Sequence, residues 1–453
     1  MNLPPTNQLY DVLGIGIGPF NLGLAALSES VAGLNTLFFD QNPEFSWHPG
    51  MMLPGAKLQV PYLADLVTLV DPCSRFSFVN YLKEIGRLFH FCIKEDLFIS
   101  RHEYNQYCRW VAAQLPACQF GHRVERVEFD ADLSLYAVTA RQLATGQAAT
   151  YHARHVVLGV GSKPALPAFC AGLPPERVMH SAGYMRYKDR LPAGSAISII
   201  GSGQSAAEIF YDLLCQPADR RYALSWFSRA DRFYPMEYSK LTLEFTSPDY
   251  VDYFYGLSPG RKDRVLAGQD SFYKGINYEL INAIYDALYD RSALGELPPV
   301  HIQPACELTN LTASPQGLEM TLHQHQQERT FAHAADVAIL ATGYRYAPPA
   351  CLAPVRDHIR WDEQGRYQVA RNYAIDHSGR GIFVQNAELH THGFVAPDLG
   401  MGPYRNAWIL NEILGTEHFR LDRRIAFQTF GAPEPAATST PTQPLAHAYD
   451  DQY

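Results

Sequence analysis

A glycine-rich turn near the N-terminus, GIGPFN at 16–21, has the spacing that binds a dinucleotide pyrophosphate. Its first glycine allows a tight turn, and its second lets the backbone approach a pyrophosphate at the positive N-terminus of the next helix. An aspartate closes the following strand-like segment, where it can accept hydrogen bonds from ribose hydroxyls. Asparagine replaces the usual third glycine, and the Gly-Pro pair suits FAD better than a nicotinamide cofactor. The motif thus assigns to FAD the residues Gly16, Gly18, Pro19, Asn21 and Asp40.

A second glycine turn, GSGQSA at 201–206, follows the apolar segment AISII. Basic residues stand where an acid would close the next strand. A guanidinium pairs with a 2′-phosphate, whereas a carboxylate repels it, so the pattern favours NADPH over NADH. The alternative is that these arginines form a solvated face. The residues assigned to NADPH are Gly201, Gly203, Gln204, Ser205, Ala206, Arg229 and Arg232.

Two strand–turn–helix units in 453 residues predict an α/β protein with two Rossmann-like dinucleotide-binding domains and a small, mainly helical substrate-binding region. Apolar residues at helical spacing predict one helix over 270–291, and ADVAILATG at 335–343 predicts a strand that returns the chain to the first domain. The boundaries that follow are 1–190 and 343–430 for the FAD-binding domain, 191–245 and 296–342 for the NADPH-binding domain, 246–295 for the helical region and 431–453 for a disordered tail.

Composition and charge exclude several classes of function. The formal net charge of -9 argues against binding to nucleic acid or to an anionic membrane. Neither a signal peptide nor a membrane-spanning run is evident, so a cytoplasmic protein is expected. The eight cysteines form no CxxC pair, and none lies within 1–72, which excludes disulfide reduction beside the first turn. His390 and His392 have no third ligand nearby, so no metal site is expected.

Longer segments narrow the family. They are GIGPFNLGLAALSE (16–29), FSWHPG (45–50), GQSAAE (203–208), ILATGY (339–344) and LHTHGFVAPDLG (389–400). Together they resemble the siderophore N-hydroxylating flavin monooxygenases, namely the lysine N6- and ornithine N5-monooxygenases and their diamine relatives. The resemblance runs from about residue 9 to about residue 415, and no Phe-x-Gly-x-x-x-His signature of Baeyer–Villiger enzymes lies between the turns.

The resemblance implies roles for residues outside the glycine turns. The segment from Asp40 to His48 would line the adenosine and flavin, and Gln59 would lie beside the isoalloxazine ring, with Leu399 closing over it. Asn277 would bridge the substrate and the nicotinamide ribose. Gln59 and Asn277 would therefore assist, while the flavin does the chemistry and no catalytic nucleophile is needed. The cofactor contacts implied in this way are Trp47, His48, Gln59, Asn277 and Leu399.

Departures from the family pattern indicate the substrate. The amino-acid hydroxylases carry, at the position of Ala64, a lysine that pairs with the substrate carboxylate; ornithine enzymes have Asn at Ser247 and Ser at Gly400. Loss of that cation removes a charge-assisted bond of roughly 1.5–3 kcal/mol and strands a carboxylate, whereas a diamine loses nothing. These three residues and Asn277 are therefore the expected substrate contacts. The alternative is a lysine or ornithine enzyme whose cation comes from Lys57 or Arg75.

The expected reaction is N-hydroxylation of putrescine or cadaverine for hydroxamate siderophore synthesis. Reduced FAD would capture O2 as a C4a-hydroperoxide, whose distal oxygen passes to the neutral amine. The second, charged amine needs an anchor, and Asp65, Glu237 and Glu244 are candidates. The alternatives are lysine N6- or ornithine N5-hydroxylation and a non-enzymatic flavin and NADPH redox sensor. The resemblance also implies a homotetramer.

Overall fold

The computed structural model describes residues 4, 6 and 8–433. The strands in chain order are β1 Leu9–Ile15, β2 Thr36–Asp40, β3 Cys118–Phe120, β4 His122–Asp130, β5 Leu135–Gln142, β6 Ala148–Leu158, β7 Lys163–Pro164, β8 Val178–His180, β9 Ala196–Ile200, β10 Ala223–Phe227, β11 Val300–Gln303, β12 Cys306–Ser314, β13 Gly317–Gln324, β14 Arg329–Ala335, β15 Val337–Leu340, β16 Tyr344–Arg345 and β17 Ile382–Val384.

The helices fall between these strands. In chain order they are α1 Pro19–Ser28, α2 Phe78–Glu84, α3 Leu88–Lys94, α4 Arg101–Ala112, α5 Tyr184–Tyr187, α6 Gln204–Leu214, α7 Lys240–Leu243, α8 Pro248–Gly256, α9 Pro259–Ala267, α10 Asp270–Tyr273, α11 Tyr278–Ala293, α12 Leu389–His392 and α13 Met401–Leu414. Short 3-10 helices occupy Pro49–Met51, Ala168–Cys170, Ser181–Gly183, Lys188–Arg190, Ala218–Arg220 and Ala350–His358.

The first sheet has the strand order β3-β2-β1-β6-β5-β4, with β17 also paired to β6. Strands β1, β2, β3, β6 and β17 are parallel to one another, and β5 and β4 extend the sheet through antiparallel pairing of β5 with β6 and of β4 with β5. The four residues Val12–Ile15 of β1 are all buried, as expected for a strand covered on both faces. Because β1 lies between β2 and β6, the first glycine turn opens at a point where the strand order reverses, which is where such sheets bind ligands.

The second sheet is wholly parallel, in the order β11-β10-β9-β15-β8. Its β9 leads into the second glycine turn and α6, as the sequence predicts. Strand β8 belongs to this sheet although it precedes residue 191, at which the NADPH-binding segment was expected to begin. An antiparallel meander, β12-β13-β14, forms a third sheet. The short strands β7 and β16 pair with each other, and they lie in the two segments that connect the first sheet to the second. The predicted α/β class with two Rossmann-like domains is confirmed.

The helical region consists of α7 to α11. Ile284 of α11 joins the hydrophobic core of the second sheet, and Phe254 of α8 packs in a cluster with Tyr404 of α13. The prediction of a single helix over 270–291 is wrong, because residues 274–277 are not helical and separate α10 from α11. A side chain at Gly275 would place its Cβ 2.5 Å from the Cα of Met236, so the chain passes Met236 at close range here. Ile276 forms a parallel bridge with Pro235 instead of continuing a helix. The apolar periodicity is real, but a contact distant in sequence interrupts it.

Two expectations concern regions beyond the sheets. The predicted tail at 431–453 lies, from residue 434 onward, outside the described residues. Within the described part of the chain, no helix has the length and apolar character needed to cross a bilayer.

Candidate functional site

The first glycine turn forms a cradle at the end of β1. Gly16 has φ +87°, and a Cβ there would lie 2.5 Å from the carbonyl oxygen of Gly159. The backbone N–H of Ile17 donates to Asp40 Oδ2 at 2.8 Å, which fixes the turn to the end of β2. A Cβ at Gly18 would meet nothing closer than 4.0 Å. The turn is therefore closed on its protein side and open at Gly18, where a phosphate can approach the start of α1.

Asn21, which the motif assigned to the cofactor, braces the turn from behind. Its side chain is fully buried, and its Nδ2 donates to the carbonyl oxygen of Gly16 at 2.8 Å. Its Oδ1 accepts from Gln385 Nε2 at 2.6 Å. The cofactor contact predicted for this residue is thus corrected, because its amide is used by the protein. Where the usual motif has a third glycine, this chain has Asn21, whose larger side chain links the turn to Val157 and to Gln385.

The second turn has a similarly crowded first glycine, but its second glycine is less open, since a Cβ at Gly203 would lie 3.1 Å from the carbonyl oxygen of Lys274. Gly201 has φ +147°, and a Cβ there would lie 2.4 Å from the carbonyl oxygen of Ala341. Gly203 precedes α6, whose first turn contains no acidic residue that would compete with a phosphate. Both glycine turns therefore fit the pyrophosphate of a bound dinucleotide.

The two arginines proposed for the 2′-phosphate lie in different places. Arg229 lines the cavity with a side chain that is 78% exposed, and its Nη1 is 3.8 Å from Glu307. The guanidinium of Arg232 instead lies over the ring of Tyr234, 4.5 Å from its centroid, and does not reach the cavity. The prediction for Arg232 is therefore corrected, since its charge is held against an aromatic face. Arg229 is free to meet an anionic ligand.

One cavity of about 2170 Å³ connects the two turns. Side chains or backbone from both sheets line it, so the two nucleotide sites face one another across continuous space. This geometry allows a hydride donor held at one turn to reach an acceptor held at the other. The predicted residues that line it are Gly16, Gly18, Pro19, Asp40, Trp47, His48, Gln59, Gly201, Gly203, Gln204, Ser205, Ala206, Arg229 and Leu399.

A hydrogen-bond chain joins Gln59 to the second turn. Gln59 Nε2 donates to Asn277 Oδ1 at 2.9 Å, and the backbone N–H of Asn277 donates to Gln204 Oε1 at 2.9 Å. Gln204 Nε2 in turn donates to Glu208 Oε1 at 2.9 Å. Asn277 does not itself line the cavity; it positions Gln59, which does.

The hydrogen-bond chain ends at Glu208, which forms an ion pair that sequence reasoning missed. Arg101, at the start of α4, makes two 2.8 Å bonds to the carboxylate of Glu208 on α6. The side chains are only 12% and 6% exposed. The pair links the two dinucleotide-binding halves of the molecule. No local signal could have revealed it, because the two residues are 107 positions apart.

His48 enters the cavity as a neutral side chain. Burial, with a smaller contribution from the charge of Arg101, lowers the pKa of His48 to about 4. Its ring meets Trp47 edge-on at a centroid distance of 4.9 Å, and the backbone N–H of Trp47 donates to Asn105 Oδ1 at 2.9 Å. At neutral pH, His48 therefore presents an uncharged ring to the cavity.

Like Asn277, the other three proposed substrate residues do not line the large cavity. Ala64 is 5% exposed, and a Cβ on Gly400 would lie 3.6 Å from the Ala64 Cβ, so these two share one location. Ser247 is fully buried, and its Oγ accepts from the backbone N–H of Tyr250 at 3.2 Å, capping α8. The substrate contact predicted for Ser247 is corrected, since its hydroxyl serves the helix.

The histidine pair has a structural role. His390 Nε2 contacts the carbonyl oxygen of Tyr367 at 2.8 Å, and the His392 ring stacks on Tyr373 at 4.6 Å. Over the part of the chain that the structure describes, no cluster of three or more His, Cys, Asp or Glu could hold a metal ion.

Comparison with known proteins identifies relatives along most of the chain. The sequence model of the family described as L-lysine 6-monooxygenase/L-ornithine 5-monooxygenase matches residues 8–346. A putrescine N-hydroxylase of Shewanella oneidensis is 49% identical over 93% of this chain and 84% of its own length.

Solved structures of flavin-dependent amine hydroxylases also resemble this chain. An FAD-bound cadaverine monooxygenase of desferrioxamine biosynthesis from Erwinia amylovora superposes with a TM-score of 0.92 at 49% identity, covering 95% of this chain and all of that one. An ornithine N-hydroxylase from Kutzneria, solved with reduced FAD, NADP+ and L-ornithine, has a TM-score of 0.83 at 30% identity, covering 90% and 99%.

Proposed function

The chain belongs to the family of L-lysine 6-monooxygenases and L-ornithine 5-monooxygenases, and we propose that it N-hydroxylates a diamine, putrescine or cadaverine, for hydroxamate siderophore synthesis. The co-substrates are O2 and NADPH, and FAD is the resident cofactor. The observation that carries the choice of substrate is Ala64: a buried methyl group stands where the amino-acid hydroxylases present a cation. Membership in this enzyme family also removes the alternative of a non-enzymatic redox sensor.

The other possible cations are already paired. Lys57 Nζ lies 2.7 Å from Asp96, and Arg75 lies 2.5 Å from Glu29. A substrate carboxylate would have to break one of these ion pairs to use Lys57 or Arg75 as its partner. Both observations favour a substrate without a carboxylate and weigh against lysine or ornithine.

The protein's own residues bind and orient the reactants. FAD when bound supplies oxygen activation, and NADPH supplies the hydride. Gln59 is held by Asn277 and by the carbonyl oxygen of Gly275 at 3.3 Å, so its amide is presented to the cavity in one orientation. The reacting amine must be neutral, and transfer from water into this partly apolar site favours that form. His48, uncharged at neutral pH, adds no positive charge beside the amine.

The domain assignment follows from the same proposal. Segments 1–190 and 343–430 would bind FAD, except that β8 belongs to the second sheet; 191–245 and 296–342 would bind NADPH, and 246–295 would contribute to the amine site. The first sheet and the Gly16 cradle support the first assignment, and the second sheet with Arg229 supports the second. We also propose that the enzyme works in the cytoplasm, which supplies NADPH.

The proposal of a homotetramer is supported by exposed aromatic residues on α11. Tyr278, Tyr285 and Tyr289 are each about two-thirds exposed, and they lie on one side of the helix. A second copy of the chain would cover them. Light scattering of the purified protein measures this directly, and a monomeric mass would contradict it.

A four-substrate comparison tests the proposed reaction. Hydroxylamine formation is measured with putrescine, cadaverine, lysine and ornithine under identical NADPH and O2 concentrations. We expect kcat/KM for the better diamine to exceed that for either amino acid by roughly 10-fold or more, since a stranded carboxylate costs about 1–3 kcal/mol. A preference for lysine or ornithine would refute the argument from Ala64.

Arg229→Ala tests the NADPH site. Because the guanidinium is exposed and only loosely paired, its removal should leave the fold intact and weaken only 2′-phosphate binding. We expect the KM for NADPH to rise roughly 10-fold and the KM for NADH to change little. Arg232→Ala is the matched control and should change neither value. If the ratio of the KM for NADPH to the KM for NADH were unchanged in Arg229→Ala, the assignment of Arg229 to the 2′-phosphate would be contradicted.

A further inference from the structure

The sequence leaves open which acid anchors the second, charged amine of a diamine, and the structure removes two of the three candidates. Asp65 is buried, and its two oxygens accept hydrogen bonds from the backbone N–H groups of Val67, Thr68 and Phe78. Glu244 accepts from the backbone N–H groups at 427 and 428, holding the C-terminal segment. Both carboxylates are thus committed to the fold.

A fourth acid, Asp398, has an uncommitted oxygen. Its Oδ1 accepts from the backbone N–H groups of Gly400 at 2.7 Å and Met401 at 3.3 Å, ahead of α13. Its Oδ2 has no hydrogen bond or ion pair with any residue in the described part of the chain. Burial raises the pKa of Asp398, although these backbone bonds and the charge of Arg405, which itself pairs with Glu388, oppose the rise. A partly buried carboxylate in this state is stabilised by any cation that can reach it.

Asp398 lies at the location shared by Ala64 and Gly400. A Cβ on Gly400 would be 3.0 Å from Asp398 Oδ1, 3.6 Å from the Ala64 Cβ and 3.8 Å from Leu69 Cδ1. Because even a Cβ at position 400 would be tight against Asp398 Oδ1, glycine at this position lets the carboxylate lie here beside the small Ala64. The side chains of Ala64 and Leu69 that lie here are apolar, and an apolar surface beside a carboxylate suits an alkyl chain that ends in an ammonium.

Tyr238 is near enough to Asp398 for its hydroxyl to be affected by the charge of that carboxylate. Burial, with a further contribution from the charge of Asp398, raises the pKa of Tyr238 to about 12, so its hydroxyl stays protonated. That hydroxyl has no hydrogen-bond partner among the described residues. Tyr238 is two residues from Met236, whose sulfur is 3.1 Å from Gln59 Nε2. Two residues span at most about 7 Å, so one short segment connects Gln59 with the neighbourhood of Asp398.

We propose that Asp398 Oδ2 binds the distal ammonium of the substrate, with the Tyr238 hydroxyl as a second acceptor, and that Asp398 is thereby the residue that selects a diamine over a monoamine. This assignment rests on the proposed function. The ammonium donates to both oxygens, and the opposite amine is placed toward Gln59. Glu237, the remaining sequence candidate, is exposed and accepts from the backbone N–H of Ser239 at 3.0 Å, so water screens its charge.

Asp398→Asn tests the anchor with little disturbance of the fold. The asparagine carbonyl oxygen can still accept from Gly400 and Met401, while the negative charge is removed. We measure kcat/KM for putrescine and cadaverine, and for n-butylamine and n-pentylamine, which have the same carbon chains without the second amine. The diamine kcat/KM should fall roughly 10- to 100-fold, mainly through KM, and the ratio of diamine to monoamine should fall at least roughly 10-fold.

Asp130→Asn is the matched control. Asp130 Oδ1 accepts from the backbone N–H groups of Asp132 and Leu133, both at 3.0 Å, so it makes the same type of turn bonds at the end of β4. This variant should keep the wild-type ratio. Tyr238→Phe provides a second route if Asp398→Asn does not fold, and it should lower the same ratio by several-fold.

These measurements test the role of Asp398 separately from the proposed hydroxylation of a diamine. If the wild-type enzyme hydroxylates diamines but both Asp398→Asn and Tyr238→Phe keep the diamine preference, the anchor is wrong and the reaction stands. Loss of the preference in Glu237→Gln, with Asp398→Asn unchanged, would move the anchor to Glu237 and overturn the assignment. A wild-type enzyme that prefers lysine or ornithine would instead refute the proposed function itself.

Discussion

Gly16→Ala is expected to yield protein with less than roughly a tenth of the wild-type bound flavin. The added methyl group would lie 2.5 Å from the carbonyl oxygen of Gly159, and the residue must keep φ at +87°. The left-handed conformation alone costs roughly 1–2 kcal/mol for a residue with a Cβ. The clash must also displace the turn from the end of β6. The measurement is flavin absorbance per mole of purified protein, before and after addition of FAD.

Gly33→Ala separates strain from collision. Gly33 has φ +80°, but a Cβ there would meet nothing within 4 Å. This variant should lose about 1–2 kcal/mol of stability and keep its flavin. Equal flavin content in the two alanine variants would show that the Gly16 turn does not hold the cofactor.

Glu208→Gln should lower the free energy of unfolding by about 3–5 kcal/mol. The substitution leaves the guanidinium of Arg101 largely buried without its anion, which is the costly way to break an internal ion pair. The amide oxygen can still accept from Gln204 Nε2 and Arg101 Nη2, but the new NH2 group replaces the oxygen that accepts from Arg101 Nη1, so the change removes the charge and one of the two hydrogen bonds. The measurement is urea unfolding followed by circular dichroism, with the first transition compared between variants because the chain has more than one domain.

Glu128→Gln is the control for that experiment. Glu128 pairs with Arg126 at the same 2.8 Å, but these side chains are 47% and 56% exposed. Its loss should cost less than about 1 kcal/mol. Replacement of both buried partners, Arg101→Met with Glu208→Leu, should restore much of the stability because no charge is then left unpaired. If Glu208→Gln were as stable as Glu128→Gln, the ion pair of Arg101 and Glu208 would not stabilise the contact between the two halves of the molecule.

Features that depend on short stretches of sequence were predictable. The two glycine turns follow β1 and β9 where expected, because a positive φ and a strand-to-helix reversal are properties of a few consecutive residues. The family resemblance, confirmed by the comparisons, also rests on contiguous segments. The exception is the helix over 270–291, in which local periodicity was overridden by the close passage of Gly275 past Met236.

The sequence by itself determined the α/β class, the two nucleotide sites, the enzyme family and the absence of a cation at Ala64. Only the tertiary structure decided that Asn21 braces the turn through Gln385, 364 positions away, and that Arg101 pairs with Glu208 across the two halves. It also placed Asp398 beside Ala64 with one oxygen free. The physical reason is that a buried polar group takes its partner from whichever segment packs against it, and that choice is made by the fold and not by neighbours in the chain.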